Sequence, residues 1–197
     1  MEAVLWHIEG RQAENCLDRL QNLCHQMDSS GGMIKALAGA EVGRPDKFVL
    51  ITFWKAWDNV TRYLGTAKSD ILPALGSPQH FEIVWQFPRE EAKASHAGDH
   101  VVVFDVHADE KSADTVLEHL RAGVGRLSHE SGFASAAIWI DRNCAEHLLL
   151  ATHWSGAEMP DGARIEEHLN LASDGVRVAE KRVNMYRVEA LGAYSTL

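Results

Sequence analysis

The sequence contains two copies of one pattern, and the second copy begins one hundred residues after the first. The apolar run FVLITFW at 48–54 matches LLLATHW at 148–154, and both runs end in Thr-x-Trp. Without gaps, the same offset pairs identical residues at further positions: His7 with His107, Ala13 with Ala113, Leu17 with Leu117, Leu20 with Leu120, Gly32 with Gly132, and Ala36 with Ala136. Because apolar pattern and turn residues keep this register through six successive elements, we interpret the chain as a tandem duplication.

Within each copy the hydrophobic pattern changes between the periods of strands and helices. In the first copy it predicts four strands and two helices: strands at 4–8, 33–42, 48–54 and 80–87, and helices at 11–27 and around 58–64. The second copy repeats them, with strands at 101–106, 133–140, 147–154 and 182–188 and helices at 112–127 and 164–171. The order β-α-β-β-α-β predicts a ferredoxin-like unit, in which both helices cover one face of a four-stranded antiparallel sheet.

The duplication also predicts how the chain is divided. The first ferredoxin-like repeat is expected at 1–88, the second at 100–190, and a C-terminal tail at 191–197, while the charged and small residues of 89–99 predict a surface linker. A sheet with helices on one face needs a cover for the other face, and a second copy in the same chain supplies one. We therefore predict an α+β fold in which the two repeats pack sheet to sheet as an intramolecular α+β barrel.

Charge and composition exclude several classes of partner. The chain has 28 acidic and 19 basic residues and a net charge of −9, which opposes binding to nucleic-acid phosphates and to anionic lipid. No apolar run approaches the roughly 20 residues that cross a bilayer, and the N-terminus lacks the order of a signal peptide. The three cysteines form no Cys-x-x-Cys pair, which predicts free thiols. We expect a cytoplasmic protein without nucleic-acid or membrane partners.

Three segments resemble a known family. The third strand ends in a Trp that is followed by a polar segment and a helix, as in TFWK at 52–55 and THWS at 152–155, and IEEHLNLAS at 165–173 contains His168. All three segments are similar to the antibiotic-biosynthesis-monooxygenase-like domains of the dimeric α+β barrel superfamily. The resemblance implies cofactor-independent oxidation of aromatic polyketides or quinols, haem degradation, or, as in some members, no known reaction. Haem-degrading members use an Asn near the first strand, and 4–8 and 101–106 contain none, so cofactor-free oxidation is favoured.

Three side chains are candidates for proton transfer. His168 is the helix His that the resemblance points to, and a positioned imidazole can move protons at neutral pH. The alternative is that His168 is a half-exposed helix residue without a role in a reaction. His153 replaces Phe53 of the first copy at an apolar position, so it needs a partner or a cavity. Tyr63, in the second helix of the first copy, is the third candidate.

Aromatic and amide side chains predict a binding surface. Trp54 and Trp154 could line a pocket for a planar ligand, and the alternative is that they are core residues. Asn59 and Tyr63 lie four residues apart, hence on one helix face, and could bond a substrate's oxygens; simple exposure is the alternative.

A metal site has weak support in the sequence. His7 and His107 would contribute one imidazole each, and Glu9, Asp105 and Asp109 lie two residues from one or the other. A histidine two residues from an acidic residue is common by chance, so we predict no metal and no cofactor.

The predicted function is that of a cofactor-independent monooxygenase-like protein acting on a small aromatic or quinol-type molecule. The alternative is a non-catalytic module that binds a small hydrophobic ligand or haem, and the sequence leaves open whether the chain is an enzyme. A homodimer is compatible with either prediction.

Overall fold

The computed structural model describes residues 1–9, 31–66, 77–88, 96–156, 162–172 and 176–192, together with 16, 18–20, 22 and 23. Its elements are β1 (Glu2–Glu9), β2 (Met33–Glu41), β3 (Arg44–Trp54), α1 (Trp57–Thr66), β4 (Gln79–Phe87), β5 (His100–Ala108), α2 (Ala113–Leu127), β6 (Phe133–Asp141), β7 (Cys144–Trp154), α3 (Gly162–Leu169) and β8 (Val178–Gly192). Residues 16, 18–20, 22 and 23 are helical, and the rest of the helix predicted at 11–27 lies outside the described residues. The predicted α+β fold with two ferredoxin-like repeats is confirmed.

The chain divides into two compact units whose boundaries lie inside strands. Unit 1 comprises Met1–Glu82 and Tyr186–Leu197, and unit 2 comprises Ile83–Met185. β4 and β8 therefore contribute residues to both units. β8 also continues to Gly192, into the segment predicted as a tail. Residues 89–95 of the predicted linker and 193–197 of the predicted tail lie outside the described residues; the repeat boundaries stay predictions.

Strand order is the same in both units. Hydrogen-bonded neighbours follow the order β4-β1-β3-β2-β8 in unit 1 and β8-β5-β7-β6-β4 in unit 2. The first strand of each repeat thus lies between the third and fourth, as in the split β-α-β arrangement of ferredoxin-like folds. Its pairing with the third strand is antiparallel in both units.

The second and third strands of the two copies are equivalent at the offset of one hundred residues. Register shifts between 33 and 35 and between 40 and 41 recur between 133 and 135 and between 140 and 141. Gly32 and Gly132 both have positive φ, 93° and 81°. Their carbonyl oxygens accept hydrogen bonds from the N–H groups of Lys55 and Ser155, at 2.9 and 2.7 Å.

The first strands follow a different offset. Val4 lies opposite 52 in β3, and Val102 lies opposite 152 in β7, so these two residues are equivalent although they are 98 positions apart. The ungapped pairing of His7 with His107 is therefore wrong. The equivalent residues are His7 with Asp105 and Glu9 with His107.

Each unit has its own core between the sheet and the helices. Residues of one face of each strand belong to it, including Val4, Trp6, Leu50, Trp54 and Val60 in unit 1, and Val102, Phe104, Leu150, Trp154 and Ile165 in unit 2. The opposite strand faces are buried too, as shown by Leu5, Val49 and Ile51 in unit 1 and Val103, Trp139 and Leu149 in unit 2. Among the described residues, no helix is long and apolar enough to cross a membrane.

Helices α2 and α3 pack closely because α2 carries a glycine at the contact. A Cβ at Gly123 would lie 2.9 Å from the Cα of Leu169 and 3.2 Å from the carbonyl oxygen of His168. That oxygen also accepts a hydrogen bond from Nε of Arg126 at 2.8 Å. Gly125, two residues on, has no atom within 4 Å of its own hypothetical Cβ.

We predict opposite effects for two substitutions in α2. Gly123→Ala should lower the free energy of unfolding by about 1–3 kcal/mol, because a methyl group there meets backbone atoms of α3. Gly125→Ala should leave it unchanged or raise it by up to about 1 kcal/mol, because alanine favours the helix and meets nothing. Urea unfolding of both variants measures the difference. Equal effects would contradict the proposed close contact.

Candidate functional site

The repeated Thr-x-Trp motif forms the same hydrogen-bonded unit in both copies. The indole Nε1–H of Trp54 donates to the hydroxyl of Thr52 at 2.8 Å, and that of Trp154 donates to Thr152 at 2.9 Å. Each hydroxyl donates in turn to a carbonyl oxygen of the first strand. Both tryptophans are at most 1% exposed and lie in the core between sheet and helices. The motif therefore satisfies a buried indole and fixes it in the core.

The two candidates on α1 have different surroundings. Tyr63 is buried, and its ring centroid lies 5.5 Å from that of Trp54, so these two predicted residues do meet. Asn59 is half-buried and lies against the turn at Gly32, where a Cβ would approach Asn59 Nδ2 to 2.3 Å. Because Gly32 has positive φ and no side chain, the amide can lie over the backbone of the turn.

His153 is buried in unit 2 and pairs with a carboxylate. Its Nε2 lies 2.9 Å from Oδ2 of Asp99, and the side chain is 9% exposed. Asp99 also accepts hydrogen bonds from the backbone N–H groups of His96 at 2.8 Å and Gly156 at 3.4 Å. Burial alone would raise the pKa of Asp99, but these hydrogen bonds and the charge of His153 hold that pKa below its usual value. The structure thus supplies the partner that an inward-facing His153 needs.

His168 lies at the end of α3 and also pairs with a carboxylate. Its Nε2 is 2.8 Å from Oε1 of Glu130, in the turn after α2. Nη2 of Arg164 donates to the same oxygen at 3.0 Å. In the part of the chain that the structure describes, Nδ1 of His168 has no hydrogen-bond partner. His168 is half-buried. Glu130 orients its ring through Nε2, so Nδ1 is available for another contact.

Four aromatic side chains in unit 2 form a continuous series of ring contacts, which we call the aromatic ladder: Trp85, Phe87, Phe133 and Trp154. Successive ring centroids are 6.2, 6.1 and 5.2 Å apart, within the range of favourable aromatic pairs. Trp154 is buried, while the other three are half-buried against the helix-side core. The backbone N–H of Phe133 donates to the carbonyl oxygen of Glu130 at 3.2 Å. Phe133, the third ring of the ladder, is thus bonded through its backbone to Glu130, the residue whose carboxylate pairs with His168.

Four polar side chains of unit 2 lie on the sheet face opposite the helix-side core. We call them the histidine–aspartate cluster: Asp105, His107, Asp141 and His147. Nε2 of His147 lies 3.0 Å from Asp105 Oδ1, and Nδ1 lies 3.1 Å from Asp141 Oδ2. Nε2 of His107 lies 3.6 Å from the same oxygen of Asp105. The two imidazoles stack with centroids 4.1 Å apart and planes 9° apart.

The charges of the cluster shift two pKa values in opposite directions. Burial alone would lower the pKa of His147, but the neighbouring carboxylates of Asp105 and Asp141 raise it above its usual value. Burial would raise the pKa of Asp105, but His147, His107 and Arg182 together lower it. The two carboxylates thus favour the charged form of His147, and the two imidazoles favour the charged form of Asp105.

The sequence did not indicate the partners of these histidines. Asp99 is 54 residues from His153, Glu130 is 38 from His168, and Asp105 is 42 from His147. His147 stands directly opposite His107 across β5 and β7. The sequence signal that could have found this pair is the alternation of apolar residues in the two strands. Aligning β5 and β7 as antiparallel neighbours by that alternation places His107 opposite His147.

Comparison with solved structures identifies the fold at low sequence identity. A candidate monooxygenase from Fusobacterium nucleatum superposes with a TM-score of 0.73 at 10% identity, covering 97% of this chain and 93% of that chain. An anthrone oxidase-like protein superposes with a TM-score of 0.66 at 15% identity, covering 100% and 96%. A heme-degrading enzyme from Listeria monocytogenes gives 0.52 at 11% identity, covering 95% and 99%. No family model matches the sequence, and no curated protein matches it. The predicted resemblance to monooxygenase-like proteins is confirmed at the level of the fold.

We predict that Asp99→Asn is destabilising and that the effect depends on pH. At pH 7 the variant should lose about 1–3 kcal/mol, because a buried carboxylate with charge-assisted hydrogen bonds becomes a neutral amide. Since the pKa of folded Asp99 is lowered, its contribution is present above the unfolded value of about 3.9 and is lost as the pH falls through the folded value. Unfolding at pH 7 and below pH 4 checks this. A difference from wild type that stays constant with pH would contradict it.

We also predict that Thr152→Val costs about 1–3 kcal/mol of unfolding free energy, because the buried Nε1–H of Trp154 loses its acceptor. Thr61→Val is the matched control, since Thr61 is exposed on α1 and bonds only to the carbonyl oxygens of the preceding turn. That variant should stay within about 0.5 kcal/mol of wild type. Urea unfolding measures the free energy of unfolding of both variants. Equal decreases in the two variants would contradict a specific stabilisation by the Thr-x-Trp hydrogen bond.

Proposed function

We propose, from the fold that the chain shares with monooxygenase-like proteins, that it is a cofactor-independent monooxygenase-like protein acting on a small aromatic or quinol-type molecule. We assign the reaction to unit 2, on the helix side of its sheet. The observation that carries the proposal is the aromatic ladder, which runs from the buried ring of Trp154 to half-buried rings and includes Phe133, whose backbone N–H bonds to the carbonyl oxygen of Glu130, the partner of His168.

The ladder fits a planar apolar substrate. Phe133 stands edge-on to Trp154, with an interplanar angle of 85°, whereas Trp85 and Phe87 stack at 19°. Half-buried rings of this kind offer apolar faces and edges against which an aromatic molecule can pack. Trp154 would form the inner wall, as the sequence predicted, and Phe133, three residues after Glu130, would form a second wall.

His168 would accept the proton in this reaction. If Nε2–H donates to Glu130, the neutral imidazole carries its lone pair on Nδ1. A substrate hydroxyl placed against Nδ1 would lose its proton, and the resulting electron-rich anion would be the reductant that reacts with dioxygen. Glu130 would stabilise the imidazolium that forms, and Arg164 would hold Glu130 in place.

The other predicted site residues fit supporting roles better. His153 is on the sheet face opposite Trp154, because successive strand residues alternate in direction. Tyr63, Trp54 and Asn59 belong to unit 1 and pack in or beside its core. We therefore propose His168, rather than His153 or Tyr63, as the proton acceptor.

Turnover of quinols and anthrones under oxygen tests the proposal. We predict oxygen uptake and product formation with wild-type protein, and a fall in kcat of about 100-fold or more in His168→Gln, which removes the base. His129→Gln is the matched control, because His129 is exposed in the turn after α2. Phe133→Leu should raise KM more than it lowers kcat, since it removes ring contact but no proton acceptor.

Two outcomes would contradict the enzymatic proposal. The first is the absence of turnover above buffer with every quinol and anthrone. The second is equal loss of activity in His168→Gln and His129→Gln. Saturable quenching of Trp fluorescence without turnover would favour the alternative, a non-catalytic ligand-binding module. A Soret band on haem titration that disappears in His168→Ala would identify the haem-binding form of that alternative.

A further inference from the structure

We propose that Asp105, His107 and His147 of unit 2 bind a divalent transition-metal ion. This site goes beyond the proposed reaction and lies elsewhere in the unit. His147 is seven residues before Trp154 in β7, hence roughly 20 Å away along the strand, and its side chain is on the other sheet face. The proposal also departs from the expectation of no metal drawn from the sequence.

The three ligand atoms already converge. Nε2 of His147 is 3.0 Å and Nε2 of His107 is 3.6 Å from the same Oδ1 of Asp105. One ligand atom from each of the three residues lies within 4.8 Å of the ligand atoms of the other two. Bonds of about 2.0–2.2 Å in a tetrahedral zinc site place neighbouring ligand atoms roughly 3.3 Å apart. An ion could therefore be bound with small side-chain movements, leaving a fourth position for water.

Asp141 completes the arrangement without being a ligand. It lies 3.1 Å from Nδ1 of His147, the ring nitrogen that faces away from Asp105. A metal-binding imidazole usually donates its second N–H to a carboxylate, which fixes the tautomer and the orientation of the ring. His147 and His107 are directly paired across β5 and β7, so the backbone register also holds the imidazoles side by side.

Charge and exposure agree with this assignment. Two carboxylates, Asp105 and Asp141, balance the charge of a divalent ion when both imidazoles are neutral. Arg182 acts on Asp105 electrostatically, but its guanidinium also donates to Glu180 at 2.8 Å. The side chain of His107 is 41% exposed and that of His147 is 5% exposed, so an ion could enter from the His107 side. Two imidazoles and one carboxylate favour zinc, cobalt, nickel or iron over calcium and magnesium.

Unit 1 provides a natural comparison. The residues equivalent to His107 and His147 are Glu9 and Lys47, and these two form an ion pair with each other. The same two strand positions thus hold a pair that needs no metal in one copy and two imidazoles in the other. The double substitution His107→Glu with His147→Lys transfers the unit 1 pair into unit 2, which removes both nitrogen ligands while keeping a complementary pair at these positions.

Zinc titration of chelator-treated protein tests the proposal. Calorimetry of the wild type should show one Zn²⁺ bound per chain. The H107E/H147K variant should bind at least about 100-fold more weakly, since both imidazole ligands are gone and the introduced lysine adds a positive charge that pairs with the introduced glutamate, and Asp141→Asn about 10- to 100-fold more weakly. His129→Ala, which removes an exposed histidine elsewhere, should bind as the wild type does. Visible absorption of bound Co²⁺ should appear in the wild type and vanish in H107E/H147K.

The outcomes separate a metal site from a structural network. Absence of saturable Zn²⁺ binding, or equal binding by the wild type and H107E/H147K, would overturn the proposal. Circular dichroism establishes whether each variant is folded. If H107E/H147K fails to fold, His107→Ala replaces it in the test, because His107 is the most exposed of the three ligands. An unchanged Zn²⁺ affinity of His107→Ala would also contradict the proposal.

Discussion

The structure depends on the requirement that every central strand buries both of its faces. One face of each sheet packs against helices, and the other is also buried, as Leu5 and Val49 in unit 1 and Val103 and Leu149 in unit 2 show. A polar side chain on such a strand must find a partner within the protein, because an unpaired buried polar group is costly. The pairs His153–Asp99 and His147–Asp105 satisfy this requirement at opposite ends of β5 and β7. His153 and His147 can therefore be buried on a strand, because each has a carboxylate partner.

The duplication separates what the fold needs from what one copy has added. The Thr-x-Trp unit and the glycine before the second strand recur with the same hydrogen bonds in both copies, so they serve the fold. His153 in place of Phe53, and His107 with His147 in place of Glu9 with Lys47, occur in unit 2 alone. A feature present in one of two equivalent units has to be explained by something other than the shared architecture. The proposed metal site rests on such a difference, whereas the proposed reaction rests on the aromatic ladder of unit 2 and on the pair of His168 with Glu130.

Much of the fold could be predicted from local patterns, whereas the site could not. Alternation of apolar residues located the strands, and the Thr-x-Trp match located the duplication, because both depend on neighbours in the sequence. The ungapped alignment failed at the first strand, because the second copy has two more residues between its first and second strands and so small a difference leaves the hydrophobic pattern almost unchanged. Glu130 and Asp99 were missed because their histidines are 38 and 54 residues away. Such partners follow from strand register and helix packing, which composition and periodicity do not specify.

Because β4 and β8 each contribute residues to both units, the predicted repeat boundary at residue 88 does not coincide with a boundary between the units. A fragment ending at residue 88 would keep Trp85 and Phe87 but lose the core of unit 2 against which they pack. The same fragment would lack 186–192, the segment that pairs with β2, and would present an open strand edge of the kind that promotes aggregation. Although the sequence contains two similar repeats, we therefore expect a fragment cut at the predicted repeat boundary to be less stable than the same residues in the full chain.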